Sequence, residues 1–250
     1  MQLQQSTWLE VEAYLERSRG ILVPVGSTEQ HGPMGVIGTD AICAEVIARG
    51  VGEAAGALVA PTIHVGMSEH HMQFAGSMTL RPSTLIAVVR DYILSLATHG
   101  FERFFFVNAH GGNIPSLGAA FYEAYGELRM TRGAEAPPVR CKIVNWSEPD
   151  AVKELRGELF GSADGSHASA TEVALTQFAD AANIKDAALD PPVAPGAPGR
   201  FYDSRDFRTR YADGRIASNP ALATPEAGQR LFNHAVDELA RQYADFLAEA

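Results

Sequence analysis

The stretch Ile21–Asp40, ILVPVGSTEQHGPMGVIGTD, opens with five apolar residues and turns polar after Gly26. The run Ile21–Val25 is short, continuously apolar and bounded by glycine, which is the pattern of a strand buried on both faces rather than of a half-exposed one. RFFFVNA (residues 103–109) is a second apolar run of strand length, and VRCKIVNW (residues 139–146) and ALVAPTIHVG (residues 57–66) are further strand candidates. Helical spacing lies between and around them. Thr7 and Glu10 form a capping-box pattern before Trp8, Leu9, Val11, Tyr14 and Leu15. DAICAEVIARGVGEA (residues 40–54) carries Ile42, Val46 and Ile47 at helical intervals. Residues 83–99 read as a helix with Gly100 just beyond its end. Residues 114–130, SATEVALTQFAD (residues 169–180) and the segment from Pro225 to the C-terminus read as three more. Strands alternating with helices predict an α/β fold with a mainly parallel sheet covered on both faces.

The bulk numbers set the frame. The 250 residues fit one domain, residues 1–250, with a long irregular loop at about 190–220 that is rich in Pro, Gly, Asp and Arg. Hydrophobic residues make up 46% and charged residues 20%, an ordinary globular composition. A net charge of -10 argues against a nucleic-acid partner, which calls for a basic surface. No run approaches the roughly 18 apolar residues of a membrane span, and no signal-peptide pattern opens the chain. Cys43 and Cys141 stand apart, outside any C-x-x-C pattern, and read as free thiols in a reducing cytoplasm.

In parallel sheets, ligands sit beyond the carboxyl ends of the strands. Four polar clusters fall there or lead into a helix: Glu29, His31 and Asp40; Asn108–Asn113 (NAHGGN); Ser68–His71 (SEHH); and Gly165–Glu172 (GSHASATE). Each alone also fits a capped or Gly-rich turn. Together they offer carboxylates and imidazoles, the donor set for zinc, manganese or iron. Glu29 and His31 are two apart on an extended segment and so face one side. Asp40 has two oxygens and can bridge two cations. His64, His99 and His234 read as edge or helix-surface residues. No G-x-S-x-G, P-loop or G-x-G-x-x-G is present, which leaves metal-activated water as the chemistry within reach.

GSTEQHGPMGVIGTD, NAHGGN and HASATE strongly resemble the creatininase (creatinine amidohydrolase) family, in order and spacing, from about residue 8 to residue 180. GMSEHHMQFAGSMTL resembles that family's G-x-S-x-x-H-x-x-F-P-G-T segment, with Ala75 and Ser77 in place of Pro and Thr. The resemblance implies a three-layer α/β/α metallohydrolase with two divalent cations per subunit (Zn, Mn or Fe), a small-molecule substrate and a homo-oligomer, often a hexamer. Carried over by position, Glu29 and His110 hold one cation, His31 the other, and Asp40 bridges them, while His167 transfers a proton. Creatininase itself carries a metal-binding glutamate two residues after the motif histidine, where this chain has Gly112, and HGGN-type members place a glutamate at Glu172. Glu172 then completes the second cation site, and the alternative is that it only favours a helix N-terminus. Ser68, His71, Gly111 and Trp146 are the expected substrate contacts. The tryptophan that creatininase has before its HAG histidine is missing, with Ala163 near that place, so creatinine is expected to be a poor substrate. The expected reaction is hydrolysis of an amide or cyclic amide C–N bond; a lactone or keto-sugar ring, or a non-catalytic metal-binding role, are the alternatives. The Arg and aromatic residues around Phe201–Tyr211 are expected at a subunit interface.

Overall fold

The computed structural model describes residues 1–133, 138–196 and 199–249. Four strands, β1 (Gly20–Val25), β2 (Leu58–Val59), β3 (Arg103–Asn108) and β4 (Arg140–Asn145), form one sheet in the order β2-β1-β3-β4. Every pairing is parallel, with Ile21 beside Phe104 and Phe104 beside Cys141.

The helices are α1 (Trp8–Leu15), α2 (Thr39–Ala54), α3 (Pro82–Thr98), α4 (Ile114–Arg132), α5 (Asp150–Phe160), α6 (Ala170–Ala179), α7 (Ser204–Arg210) and α8 (Pro225–Ala248). Side chains alternate across the strands and so feed two cores. Leu22, Phe105 and Val107 pack with Ile47 of α2, Ala174 of α6 and Leu239 of α8. Ile21, Val23, Val25, Phe104 and Phe106 pack with Val89 of α3 and Leu117 of α4. Each fully buried side chain of this kind contributes about 1.5–3 kcal/mol. Burial on both faces is the physical reason for the unbroken apolar runs. The fold is the expected three-layer α/β/α arrangement.

Three expectations need correction. The strand expected over residues 57–66 is regular only at Leu58–Val59, with one isolated bridge from Val25 to Ile63. The Ala60 N–H donates to the Leu22 carbonyl, and the next ladder bond would come from the N–H of residue 24, where β1 has Pro24 and so no donor. The loop at 190–220 is not wholly irregular. Asp203 accepts from the Arg205 and Asp206 N–H groups and starts α7 inside it, and a 3-10 turn spans Pro220–Leu222. Residues 197 and 198 of that loop lie outside the described residues. Helix α5 corresponds to none of the expected elements. The Thr7–Glu10 capping box is present, although Trp8 and Leu9 beyond it stay exposed.

Because the strands are parallel, their carboxyl ends share one edge of the sheet. Gly26, just after β1, lets the backbone of α2 come against the strand end, since a Cβ there would run into Ala41. This close approach brings Asp40, in the first turn of α2, beside the segment that follows β1.

Candidate metal centre

Glu29, His31, Asp40 and His110 are all buried, at 0%, 1%, 2% and 6% exposure. Potential donor atoms gather in three overlapping groups, Glu29–Asp40–His110, His31–Asp40–Glu172 and Glu29–His31–His167, each within 4.8 Å. Asp40 belongs to two of them. Its Oδ1 lies 3.1 Å from His31 Nε2 and its Oδ2 3.3 Å from His110 Nδ1. Glu29 Oε1 lies 3.3 Å from His110 Nδ1, 3.1 Å from His71 Nε2 and 4.0 Å from His167 Nδ1.

Glu29 Oε1, His31 Nε2 and Asp40 Oδ2 are buried and make no well-aligned hydrogen bond among the described residues, although ionisable partners stand within 3.1–3.3 Å of them. A poorly satisfied buried polar atom is costly, and several in one cluster are what divalent cations would satisfy. The residues present therefore fit divalent metal.

Hydrogen bonding on the far side of the ring assigns the tautomers of His31 and His110. His31 Nδ1 is 3.1 Å from the Glu29 carbonyl and His110 Nε2 is 2.9 Å from the Met67 carbonyl. A carbonyl only accepts, so each of those nitrogens carries the hydrogen and the opposite nitrogen turns its lone pair inward. His167 Nε2 lies 2.9 Å from both the Gln30 carbonyl, an acceptor, and the Gln30 side-chain NH₂, a donor. His71 is reversed. The Gln30 amide is oriented by the Gly32 N–H, which donates to its Oε1 at 2.8 Å, so its NH₂ faces His71 Nδ1 at 2.9 Å. His71 then presents Nε2–H, not a lone pair, to Glu29. It is placed to steady that carboxylate.

Burial lowers the pKa of His31, but Asp40 beside it, with Glu172 and Glu29, raises it to about 10. Burial likewise opposes protonation of His110, and Glu29 and Asp40 hold its pKa well above the usual range. A ligating imidazole is neutral, so a proton and a cation are alternatives here. Metal uptake at pH 7 is expected to release protons, and affinity to weaken as pH falls. Titration calorimetry in two buffers of different ionisation enthalpy reads this directly; identical heats in both would count against it.

Glu172 has a double connection. Its Oε2 accepts from the Ser169 N–H (3.0 Å) and hydroxyl (2.8 Å), completing a capping box at the start of α6. The helix-start reading and the proximity to His31 and Asp40 therefore coexist, one carboxylate oxygen serving the cap. At Gly112 a Cβ would run into His110 Nε2 and lie 2.7 Å from the Met67 carbonyl. With the loop folded this way, no side chain fits where creatininase carries its glutamate.

The four expected substrate contacts separate. Gly111 lines a cavity of about 260 Å³ with Asn108, Asn145, Arg156 and Glu172. Ser68 is fully buried; it donates to Glu29 Oε2 and touches Ser27 Oγ, so it holds Glu29 rather than facing the cavity. His71 is equally enclosed, at 1% exposure. Trp146 is a correction. It is 1% exposed within the core beneath α2, α6 and α8, because its ring points into the sheet's interior layer. Within the segment Phe201–Tyr211, Phe207 and Tyr211 pack inside the chain with Ile216, Phe207 lies edge-on to His71 at 4.6 Å, and Tyr202 stays exposed.

Two features were missed. Asn113 ties three loops together, donating to the Gly26 carbonyl (2.9 Å) and accepting from the Met67 N–H (3.0 Å). Its place at the end of NAHGGN was the one available signal. Ala168, next to His167, has φ +52° although it is not glycine. Such strain persists only where the surroundings enforce it; here the His167 carbonyl accepts from Ser218 Oγ at 2.8 Å and from the Ile216 N–H at 3.3 Å. Nothing local in the sequence marks it.

Comparison with known proteins agrees with this geometry. A family model described as Creatininase: Creatinine amidohydrolase matches residues 4–243. A mycofactocin precursor peptide peptidase of Mycolicibacterium smegmatis is 30% identical over 231 residues, covering 87% of this chain and 81% of its own. A creatinine amidohydrolase of Pseudomonas putida is 28% identical over 243 residues, 94% and 92% of the two chains. A solved structure described as creatininase Mn superposes with a TM-score of 0.81 at 26% identity, over 96% of each chain. The chain is a member of the creatininase family and, with it, a metal-dependent amidohydrolase.

Proposed function

We propose that the protein hydrolyses an amide C–N bond at a dinuclear centre. Glu29 and His110 would hold one cation and His31 and Glu172 the second, with Asp40 offering an oxygen to each. The observation that carries this reading is Asp40 itself, whose two carboxylate oxygens face His31 and His110 separately, at 3.1 and 3.3 Å. Zinc, manganese and iron all suit these nitrogen and oxygen donors.

Bound divalent cations supply Lewis acidity and lower the pKa of the attacking water. The chain's own residues do the rest. Ser68 and His71 fix the Glu29 carboxylate. His167 places Nδ1 4.0 Å from Glu29 Oε1, at the edge of the cluster, where the imidazole can carry a proton from the attacking water to the leaving nitrogen. Gly111, with no side chain in the way, leaves the wall of the cavity open to the substrate. Gly112 and the enclosure of Trp146 support a substrate other than creatinine.

The test is hydrolysis of a panel of amides, cyclic amides and lactones before and after chelation. Activity on an amide that is lost with chelator and regained with Zn²⁺ or Mn²⁺ is expected; activity on lactones alone would replace the amide reading. Glu172→Gln sharpens it. Glutamine preserves a capping box, so α6 should hold while the ligand charge is lost. Metal analysis is expected to fall from two cations per chain to about one. Two retained cations would remove Glu172 from the centre. The same reading makes the enzyme a cytoplasmic homo-oligomer, a hexamer by resemblance. Its free Cys43 and Cys141 suit a reducing compartment. No helix among the described residues is long and apolar enough to cross a membrane. Light scattering that finds only monomer at micromolar protein would end the oligomer reading.

A further inference from the structure

Among the described residues the sheet has an open side at β4, which pairs with β3 alone. Register decides which way its peptide groups face. The Arg140 N–H donates to the Glu102 carbonyl and the Trp146 N–H to the Asn108 carbonyl. Even-numbered residues therefore turn toward β3, and Cys141, Ile143 and Asn145 turn their N–H and C=O groups outward. Two of those outward groups are occupied. The Cys141 N–H donates to the Tyr125 hydroxyl at 2.8 Å, and the Asn145 carbonyl accepts from the Glu148 N–H at 3.1 Å. Among the described residues, neither outward group of Ile143 has a hydrogen-bond partner.

A groove of about 690 Å³ follows this edge past Lys142, Ile143 and Val144, with Pro149 before α5 and Gln242 of α8 along its sides. Asn145 and Glu148 line both this groove and the 260 Å³ cavity beside Glu172. The two spaces are therefore neighbours at the carboxyl end of β4, with Asn145 and Glu148 between them.

We propose that the substrate is an extended peptide that pairs with the free edge of β4 as an added strand and passes its scissile amide from the groove into the cavity. This rests on the amidohydrolase reading above and narrows its substrate class. A sheet edge with an unpaired N–H and C=O is a template for a further strand, and main-chain pairing is a recurrent way of binding peptides. Ile143 offers both groups, spaced to grip one residue of a partner strand. A small ring would fill only the cavity; the larger groove beside it has room for a chain. In the step itself, water adds across the amide: the C–N bond breaks, a C–O bond forms at the carbonyl carbon, and the water hydrogen goes to the leaving nitrogen. A carboxylate and an amine result, and no oxidant or co-reactant enters.

The test uses the metal-loaded protein and a library of linear random-sequence heptapeptides, with products read by mass spectrometry. The best-cleaved peptide is then resynthesised with single backbone N-methyl groups. On one side of the scissile bond, KM is expected to rise about five- to tenfold at one residue, the worth of one net hydrogen bond, and to change little at its two neighbours. A uniform effect, or none, overturns the proposal. An uncut library alongside hydrolysed acetylated amino-acid amides overturns it and leaves the amidohydrolase reading standing; hydrolysis of neither would sink that reading first. Ile143→Pro gives an independent measurement, because it removes an outward N–H while sparing the pairing with β3. The same rise in peptide KM with unchanged sedimentation is expected. If the variant instead breaks an oligomer, the edge is a contact between copies of this chain and the proposal fails.

Discussion

Asp40→Ala is expected to leave a folded protein that has lost most of its bound metal and more than roughly 10²-fold of its activity, the upper range for removing a residue that only supports a ligand. The reason is stoichiometric. Asp40 supplies one oxygen to the side of His31 and the other to the side of His110. Without it, Glu29 and His110 are two donors, and His31 and Glu172 are two more. Each set falls short of the three protein ligands typical of a catalytic zinc site. Metal analysis beside circular dichroism separates this from unfolding. A folded variant with both cations in place would end the bridging role.

His167→Ala is expected to do the opposite with metal and nearly the same with rate. Both cations should stay, kcat should fall by about 10²–10⁴-fold, and the pH–rate profile should lose one limb. The side chain is well held for proton transfer. Its Nε2 lies 2.9 Å from the Gln30 carbonyl, and its ring contacts Phe207 edge-on. Its Nδ1 also belongs to a donor group with Glu29 and His31. The rival outcome is therefore definite. If one cation leaves with the imidazole, His167 is a ligand, and the proton must travel through another residue.

Much of the architecture was legible from the chain because it follows from short-range rules. Ile21–Val25 and Phe104–Val107 are apolar at every position, and only burial on both faces requires that. Thr7 with Glu10 announced the start of α1 by local hydrogen bonding. Glu29, His31, Asp40, His110, His167 and Glu172 stood after strands or at a helix start, so a parallel sheet had to bring most of them to one end. Where local rules gave out, so did the reading. Pro24 withheld the donor that would have continued β2, and a cap at Asp203 built a helix in a segment that composition marked as irregular.

By itself, then, the sequence determined which residues could meet: a parallel α/β sheet and an inventory of carboxylates and imidazoles at its carboxyl edge. Only the tertiary structure decided what each of them does there, because a ring's lone pair and a carboxylate's free oxygen are set by partners far away in the chain. His110 is oriented by the carbonyl of Met67, 43 positions earlier, and His167 by that of Gln30, 137 positions earlier. His71, equally a histidine by sequence, is turned the other way by the Gln30 amide. Trp146 lies in the core, and β4 is left with a free edge, for the same reason. Packing and pairing are fixed by which elements become neighbours, and neighbourhood is a property of the folded chain.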